Sequence, residues 1–427
     1  MWLATFIEWR NPAEKEALMD NEEKKAVLKY IKEDEIVSLA KELIRIPSFT
    51  TEETEVARFL GRFLEDKGLE VELQEVDPGR FQTVARIRGS GGGKSLMLNG
   101  HIDIDPIPMG WPRSAWDPWV EDGRLYGGGI FNMKSGVTSM AAAAVAVKRA
   151  EIPLRGDLII AAVAGELQAG VGTVHLLDSG IKPDMAIVTE PFGAHNIVTK
   201  HAGALELAIH TFGRCRHLSL KEEGIDAIKN MMKVIEALEG MEFTHTPDPE
   251  LPGLPRWNLG SLVGGHGREL ELRGPYYIAD YCRAFVDVRF CSGMTPESVV
   301  ADIERELARL AKEDTDFKYE VEYPPDPKYG IATTWMYPFN APKDSEVVQA
   351  VRNSYQGVTG REPARIGAPE PAYRGYHGND TAHLWQRGIP CCLYGPSGDW
   401  ETWRWAYVDE MTLCTQVLAL TALEICG

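Results

Sequence analysis

Residues 99–105 read NGHIDID. A histidine and an aspartate two positions apart, closing an apolar run, form a pairing used by metal sites: one ring nitrogen faces the chemistry while a carboxylate orients the ring. Two further apolar runs also end in carboxylates, DLIIAAVAGE at Glu166 and DMAIVTE at Glu190. Between the first and second lies LYGGGIFNMKSG, a glycine run followed by Asn132. At that position a carboxylate would serve a cation, and an amide stands instead.

The elements that must position these groups follow from periodicity. The three runs SLMLNGHID, DLIIAAVAGE and DMAIVTE read as buried strands, with helical segments such as SGVTSMAAAAVAVKRA between them, a βαβ pattern that predicts a mainly parallel sheet flanked by helices. Ligands bind in the crevice at the carboxyl ends of such strands, so His101, Asp103, Glu166 and Glu190 are expected to converge there. Beyond residue 200 the pattern changes to strand, helix, long strand, helix and strand, a compact α+β unit inserted into the first. The expected division is a helical N-terminal extension over 1–35, an α/β domain over 36–199 and 325–427, and the insertion over 200–324.

The 427 residues accommodate two domains of ordinary size. A net charge of −18 without a basic patch excludes a nucleic-acid partner. No uninterrupted apolar stretch is read as reaching the roughly 18 residues that span a bilayer, and MWLATFI lacks the basic start and cleavage site of a signal peptide. Seven cysteines, an odd number in apolar contexts, predict reduced thiols in a cytoplasmic protein. The adjacent Cys391 and Cys392 are expected inside a strand.

The ordered set GHIDIDP, LYGGGIFNMKSG, GELQAGVGT, VTEP, GRCRHLS, VDVRF and GIPCCLYGPSG…VDE resembles the M20 metallopeptidase and aminoacylase family, from about residue 35 to the C-terminus. The resemblance implies a zinc-peptidase-like α/β domain with an inserted ferredoxin-like lid that makes a homodimer. It also implies two metal ions, usually zinc, bridged by an aspartate and a water, and a glutamate that takes the water's proton. His101 matches the first ligand, Asp103 the aspartate that orients it, Glu166 the general base and Glu190 a carboxylate ligand. The bridging aspartate falls on Asn132, a paired glutamate on Leu167 and the last histidine on Ala406. His217 matches the lid histidine that stabilises the oxyanion in the partner's site.

These departures predict no metal or a single divalent cation, zinc if present, held by His101 and Glu190. The expected catalytic residues are Glu166, Asp103 and His217. Candidates for substrate contact are Asn132, Arg289 and His377, with Trp403 and Trp405, near Trp400, offering a surface for a planar group. Arg268, Arg273 and Asp380 are weaker candidates. The leading expectation is hydrolysis of an amide or related C–N bond in a small, carboxylated, possibly aromatic compound. The alternatives are a metal-independent acyl transferase, lyase or condensing enzyme on the same scaffold, and a catalytically silent binding protein.

Overall fold

A computed structural model describes residues 22–107, 109–271 and 273–427. The described chain divides into two compact units. The first comprises residues up to Thr199 with Ala341–Gly367 and His383–Gly427; the second comprises Lys200–Asn340 and Ala368–Ala382.

The first unit is built on an eight-stranded sheet. Its spatial order is Glu70–Asp77, Arg80–Ile87, Leu158–Val163, Leu96–His101, Met185–Val188, Cys391–Leu393, Asn196–Val198 and Arg365–Gly367. The four strands from Leu158–Val163 to Cys391–Leu393 are parallel, as are the last two, while the remaining pairings are antiparallel. LMLNGH, LIIAAV and MAIV are buried along their whole length. That explains their unbroken apolar character, because helices cover both faces of a parallel sheet. Cys391 and Cys392 are strand interior, as expected.

Two helices, Ser135–Arg149 and Val408–Cys426, pack together in the core, and the Ser139 hydroxyl donates to the Met411 carbonyl at 3.1 Å. Residues 130–149 are long and apolar enough to cross a membrane by length and composition, and they are buried inside the unit. The sequence is apolar there because both helix faces are packed. Gly136 marks the closest approach: a Cβ at this position would lie 2.0 Å from the Thr189 carbonyl oxygen, so the helix start presses directly on the strand that leads to Glu190.

The second unit has the sheet order Arg256–Gly265, Tyr281–Phe290, Gly203–Phe212 and Lys318–Glu322, all antiparallel, with helices Ala227–Glu239 and Pro296–Glu313. In chain order this is β-α-β-β-α-β, the ferredoxin-like arrangement. The strand Arg256–Gly265 was not anticipated. RWNLGSLVGG carries three glycines and is mostly exposed at the sheet edge, so it lacks the alternation that marks a half-buried strand.

The domain limits also shift. Residues 325–340 stay with the second unit, because Trp335–Met336 pairs with Gly203–Phe212 and Phe339–Asn340 pairs with Lys200–His201. Ala368–Ala382 returns to it as well: the Gly375 carbonyl accepts from the Ala202 amide at 2.8 Å, and the Tyr376 hydroxyl accepts from Gly253 at 2.7 Å. Much of the expected N-terminal extension, 1–21, lies outside the described residues. The remainder does not stand apart, since Val27 and Ile31 join the core that holds Leu39 and Leu43.

A buried ion pair ties the edge of the first unit's sheet to its interior. Arg80 donates from Nη2 and Nε to the Glu53 carboxylate at 2.6 and 2.9 Å, and both residues are almost wholly enclosed. A third donor, Nη1, reaches the Gln168 side-chain oxygen at 2.8 Å. Removing one partner leaves an uncompensated buried charge. Arg80→Met is therefore expected to lower unfolding stability by about 3–5 kcal/mol in urea titration, and Glu53→Met/Arg80→Met to recover most of it. Equal losses in the single and double variants would show that the pair is not the determinant.

Candidate active site

The strand Leu96–His101 delivers His101 to the carboxyl edge of the sheet, where the ring is fully enclosed. His101 Nδ1 lies 2.8 Å from the Asp103 backbone carbonyl and 3.5 Å from its carboxylate. A ring nitrogen facing a carbonyl carries the proton, so Nε2 is the atom presented to the site. It stands 3.2 Å from Asn132 Oδ1 and 3.7 Å from Glu190 Oε1. Burial alone would depress the His101 pKa, but Asp103, Glu166 and Glu190 outweigh it and hold the imidazole well above its ordinary value.

Asp103 does more than orient that ring. Its two carboxylate oxygens accept the consecutive backbone amides of Glu166 and Leu167, at 3.0 and 3.1 Å, and the Thr50 hydroxyl at 3.3 Å. Burial pushes the Asp103 carboxyl up, yet the histidine and the two amides win and hold it below the usual carboxylate range. The short helical turn Glu166–Gln168 is thus pinned at its first residues by a charged acceptor. Its entry uses Gly165, with φ of +70°, where a Cβ would meet Val171 and Arg80 at 2.5 and 2.6 Å. The His383 Nε2 to Ala169 carbonyl contact at 2.8 Å and the Arg80 contact to Gln168 hold the turn from its other end.

The structure therefore brings together His101, Asp103, Asn132, Glu166 and Glu190, as the sequence implied. It adds one residue that the sequence reading passed over. Asp105, in the same HIDID stretch, accepts from the Asn132 amide nitrogen at 3.1 Å. Asn132 consequently bridges His101 on its oxygen side and Asp105 on its nitrogen side. Burial raises the Asp105 carboxyl above its ordinary range, against the hydrogen bond from Asn132. The signal was available: an amide between two ionisable groups must present opposite polarities to each.

A crevice opens beside this bridge, lined by Asp105, Ile107, Trp111, Gly129, Asn132 and Trp403. Trp403 is partly exposed, and its ring lies 6.2 Å from that of Phe131. Trp405 is turned elsewhere, packed 4.7 Å from Tyr407 with the Arg124 guanidinium 4.5 Å over its ring. The alternation of the strand Trp405–Tyr407 accounts for this, since Ala406 between the two rings is fully enclosed. Trp405 is thus withdrawn from the expected planar-group surface, and Trp111 replaces it.

Six other candidates belong to the second unit. Arg289 donates twice to Asp287, at 2.7 and 2.6 Å. His377 is half-buried, and desolvation of its ring pushes its pKa down to about 4, with Arg289 contributing in the same direction. Asp380 is fully enclosed. His217 is exposed, with its Nδ1 2.9 Å from the Ser219 hydroxyl. Arg268 pairs with Glu320 at 2.6 Å and Arg273 with Glu271 at 3.1 Å, the surface ion pairs that are the default for such residues.

The chain belongs to peptidase family M20/M25/M40, whose profile matches residues 97–424. It is accordingly an amidohydrolase or peptidase-like enzyme. Among curated relatives, it is 26% identical over 395 residues to an N-formyl-4-amino-5-aminomethyl-2-methylpyrimidine deformylase of Halalkalibacterium halodurans, covering 85% of this chain and 87% of that protein. It is 28% identical over 333 residues to an acetylornithine deacetylase of Edwardsiella ictaluri, with 74% and 81% covered. Among solved structures, a tripeptidase of Staphylococcus aureus superposes with a TM-score of 0.70 at 20% identity over 92% of this chain and 98% of that one. A dinuclear metal-binding peptidase of Bacillus subtilis superposes at 0.62 and 15% identity, with 92% and 98% covered.

His383 provides a pH test of how the Glu166 turn is held. Burial lowers its pKa to about 4, from an unfolded value of 6.5. A depressed histidine is neutral in the folded state, so its contribution is intact above pH 6.5 and is lost as the pH falls from there towards 4. The difference amounts to about 3 kcal/mol. His383→Gln keeps a donor for the Ala169 carbonyl and cannot take up the proton. Chemical unfolding between pH 6.5 and 4 is expected to show a slope shallower by up to one proton; an unchanged slope would assign the loss to another group.

Proposed function

We propose that the chain hydrolyses the amide bond of a small N-acylated amine bearing a planar ring, with Glu166 as general base. The observation that carries this reading is the double grip of Asp103 on the Glu166 and Leu167 amides, which fixes a carboxylate-bearing turn beside His101 and Glu190. Glu166 takes a proton from water as the water oxygen bonds to the acyl carbon. It then gives that proton to the nitrogen as the C–N bond breaks, leaving a carboxylate and an amine. Asp103 acts by positioning, and Asn132 and Asp105 offer hydrogen-bonding groups to a ring docked at the mouth of the narrow crevice beside Trp111 and Trp403. The two relatives named for deacylation of small amines support this substrate class, the pyrimidine deformylase most directly. We also infer a cytoplasmic homodimer in which His217 serves the partner's site, and a contact between Arg289 or His377 and a carboxylate where the substrate carries one.

The donor set at the head of the sheet fits one cation. His101 Nε2, Asn132 Oδ1 and Glu190 Oε1 face one another at 3.2 and 3.7 Å and would hold a zinc-like ion. The side chains at Leu167 and Ala406, where the family resemblance places further ligands, carry no donor atom. When bound, such an ion lowers the pKa of water and polarises the carbonyl.

Glu166→Gln is expected to lower kcat on N-formyl aminomethylpyrimidines by about 10²–10⁴-fold with an unchanged melting temperature. Unchanged turnover would remove Glu166 from the role. Hydrolysis in ¹⁸O-water should label the released acid; an unlabelled acyl product would establish transfer to another acceptor. Trp403→Ala is expected to raise KM for ring-bearing substrates more than for N-acetylornithine, and equal effects would sink the planar-group assignment. Elemental analysis of wild type minus His101→Ala/Glu190→Gln should differ by no more than one cation per chain, and a difference of two would restore the dinuclear centre.

A further inference from the structure

In the second unit, away from the residues assigned above, three side chains of metal-binding type meet. Cys215, His266 and Asp280 each offer a ligand atom, and the three atoms lie within 4.8 Å of one another. They come from three separate stretches: Cys215 follows the strand Gly203–Phe212, His266 follows the strand Arg256–Gly265, and Asp280 precedes the strand Tyr281–Phe290. Neighbouring antiparallel strands bring these ends to one side of the sheet.

A second observation points to a ligand. His266 is more than nine-tenths buried, and its Nδ1 is enclosed without a hydrogen-bond partner. That nitrogen lies 3.9 Å from Asp280 Oδ1, too far for a hydrogen bond. An enclosed ring nitrogen lacking a partner carries a desolvation cost that a bound cation removes. Asp280 Oδ1 meanwhile accepts from the Gly267 amide at 2.9 Å, which fixes the carboxylate next to the histidine. Cys215 is the one partly exposed cysteine among the seven, so the cluster is open on the thiol side.

We propose that Cys215, His266 and Asp280 form a binding site for one Zn²⁺ ion. Thiolate, imidazole and carboxylate are the three ligand types that zinc takes, and three protein ligands leave a fourth position for water. One thiolate and one carboxylate balance the two positive charges. Binding releases the Cys215 thiol proton to solvent as the Zn–S bond forms. Arg273, whose charge is felt by both anionic ligands, is already engaged with Glu271 at 3.1 Å. The ion would tie together three strand ends and fix the Cys215–His217 stretch. His217 is two residues from the thiolate and bridges Tyr277, whose ring lies edge-on to His266 at 6.3 Å.

Full-length protein titrated with Co²⁺ as probe is expected to develop a thiolate-to-cobalt charge-transfer band, present in wild type and in His101→Ala/Glu190→Gln but lost in Cys215→Ser and His266→Gln. In parallel, Zn²⁺ should slow alkylation of Cys215 in the native protein by about tenfold or more, mapped by mass spectrometry. Protection needs no substitution, so it holds even where a variant fails to fold. Absence of the band in wild type, its persistence in Cys215→Ser, or alkylation indifferent to zinc would each overturn the site.

Discussion

The Asp103 carboxylate is the constraint on which the first unit's site depends. It is completely enclosed, and three kinds of partner satisfy it: the His101 ring, the Thr50 hydroxyl and two successive backbone amides. A buried carboxylate stays ionised only with such support. In turn it sets the imidazole's direction and the first residues of the Glu166–Gln168 turn. The segments that leave two adjacent parallel strands, Leu96–His101 and Leu158–Val163, are thereby locked to one anion. The Glu53–Arg80 pair then braces the same turn through Gln168, so two buried charges of the sheet's edge and head share one short segment.

Asn132 acquires meaning in this setting. An aspartate there would face Asp105 as well as Glu190, and three carboxylates would repel unless cations lay between them. The amide relieves that repulsion by donating to Asp105 while accepting on the His101 side. Substitution of one atom type thus changes a charge bridge into a polarity bridge, with its nitrogen turned towards an aromatic crevice.

Much of this was legible because burial leaves an imprint on composition. Unbroken apolar runs ending in His101, Glu166 and Glu190 mark parallel strands whose carboxyl ends meet, and no other arrangement of such strands is common. Side-chain direction was less legible. Trp403 and Trp405 look equivalent in GDWETWRWAY, yet Trp403 sits before the strand in a left-handed turn (φ +59°) beside the crevice, whereas Trp405 lies within the strand under Arg124. Asp105 was overlooked because the partner that gives it significance lies 27 residues away. The edge strand Arg256–Gly265 escaped because an exposed, glycine-rich strand carries no alternation to read. Its end contributes His266, so the Cys215 cluster was hidden with it.

The order of strands in the first sheet has a consequence for how the chain is made. Cys391–Leu393 lies between Met185–Val188 and Asn196–Val198, two strands that leave the ribosome some two hundred residues earlier. Until it arrives, both carry unpaired backbone edges beside apolar faces, the kind of exposure that invites wrong pairing. The intervening β-α-β-β-α-β unit closes most of its own sheet meanwhile. Biosynthesis therefore runs with a vacant slot at the middle of the catalytic sheet, and the enzyme's head assembles only when nearly the entire polypeptide is available to fill it.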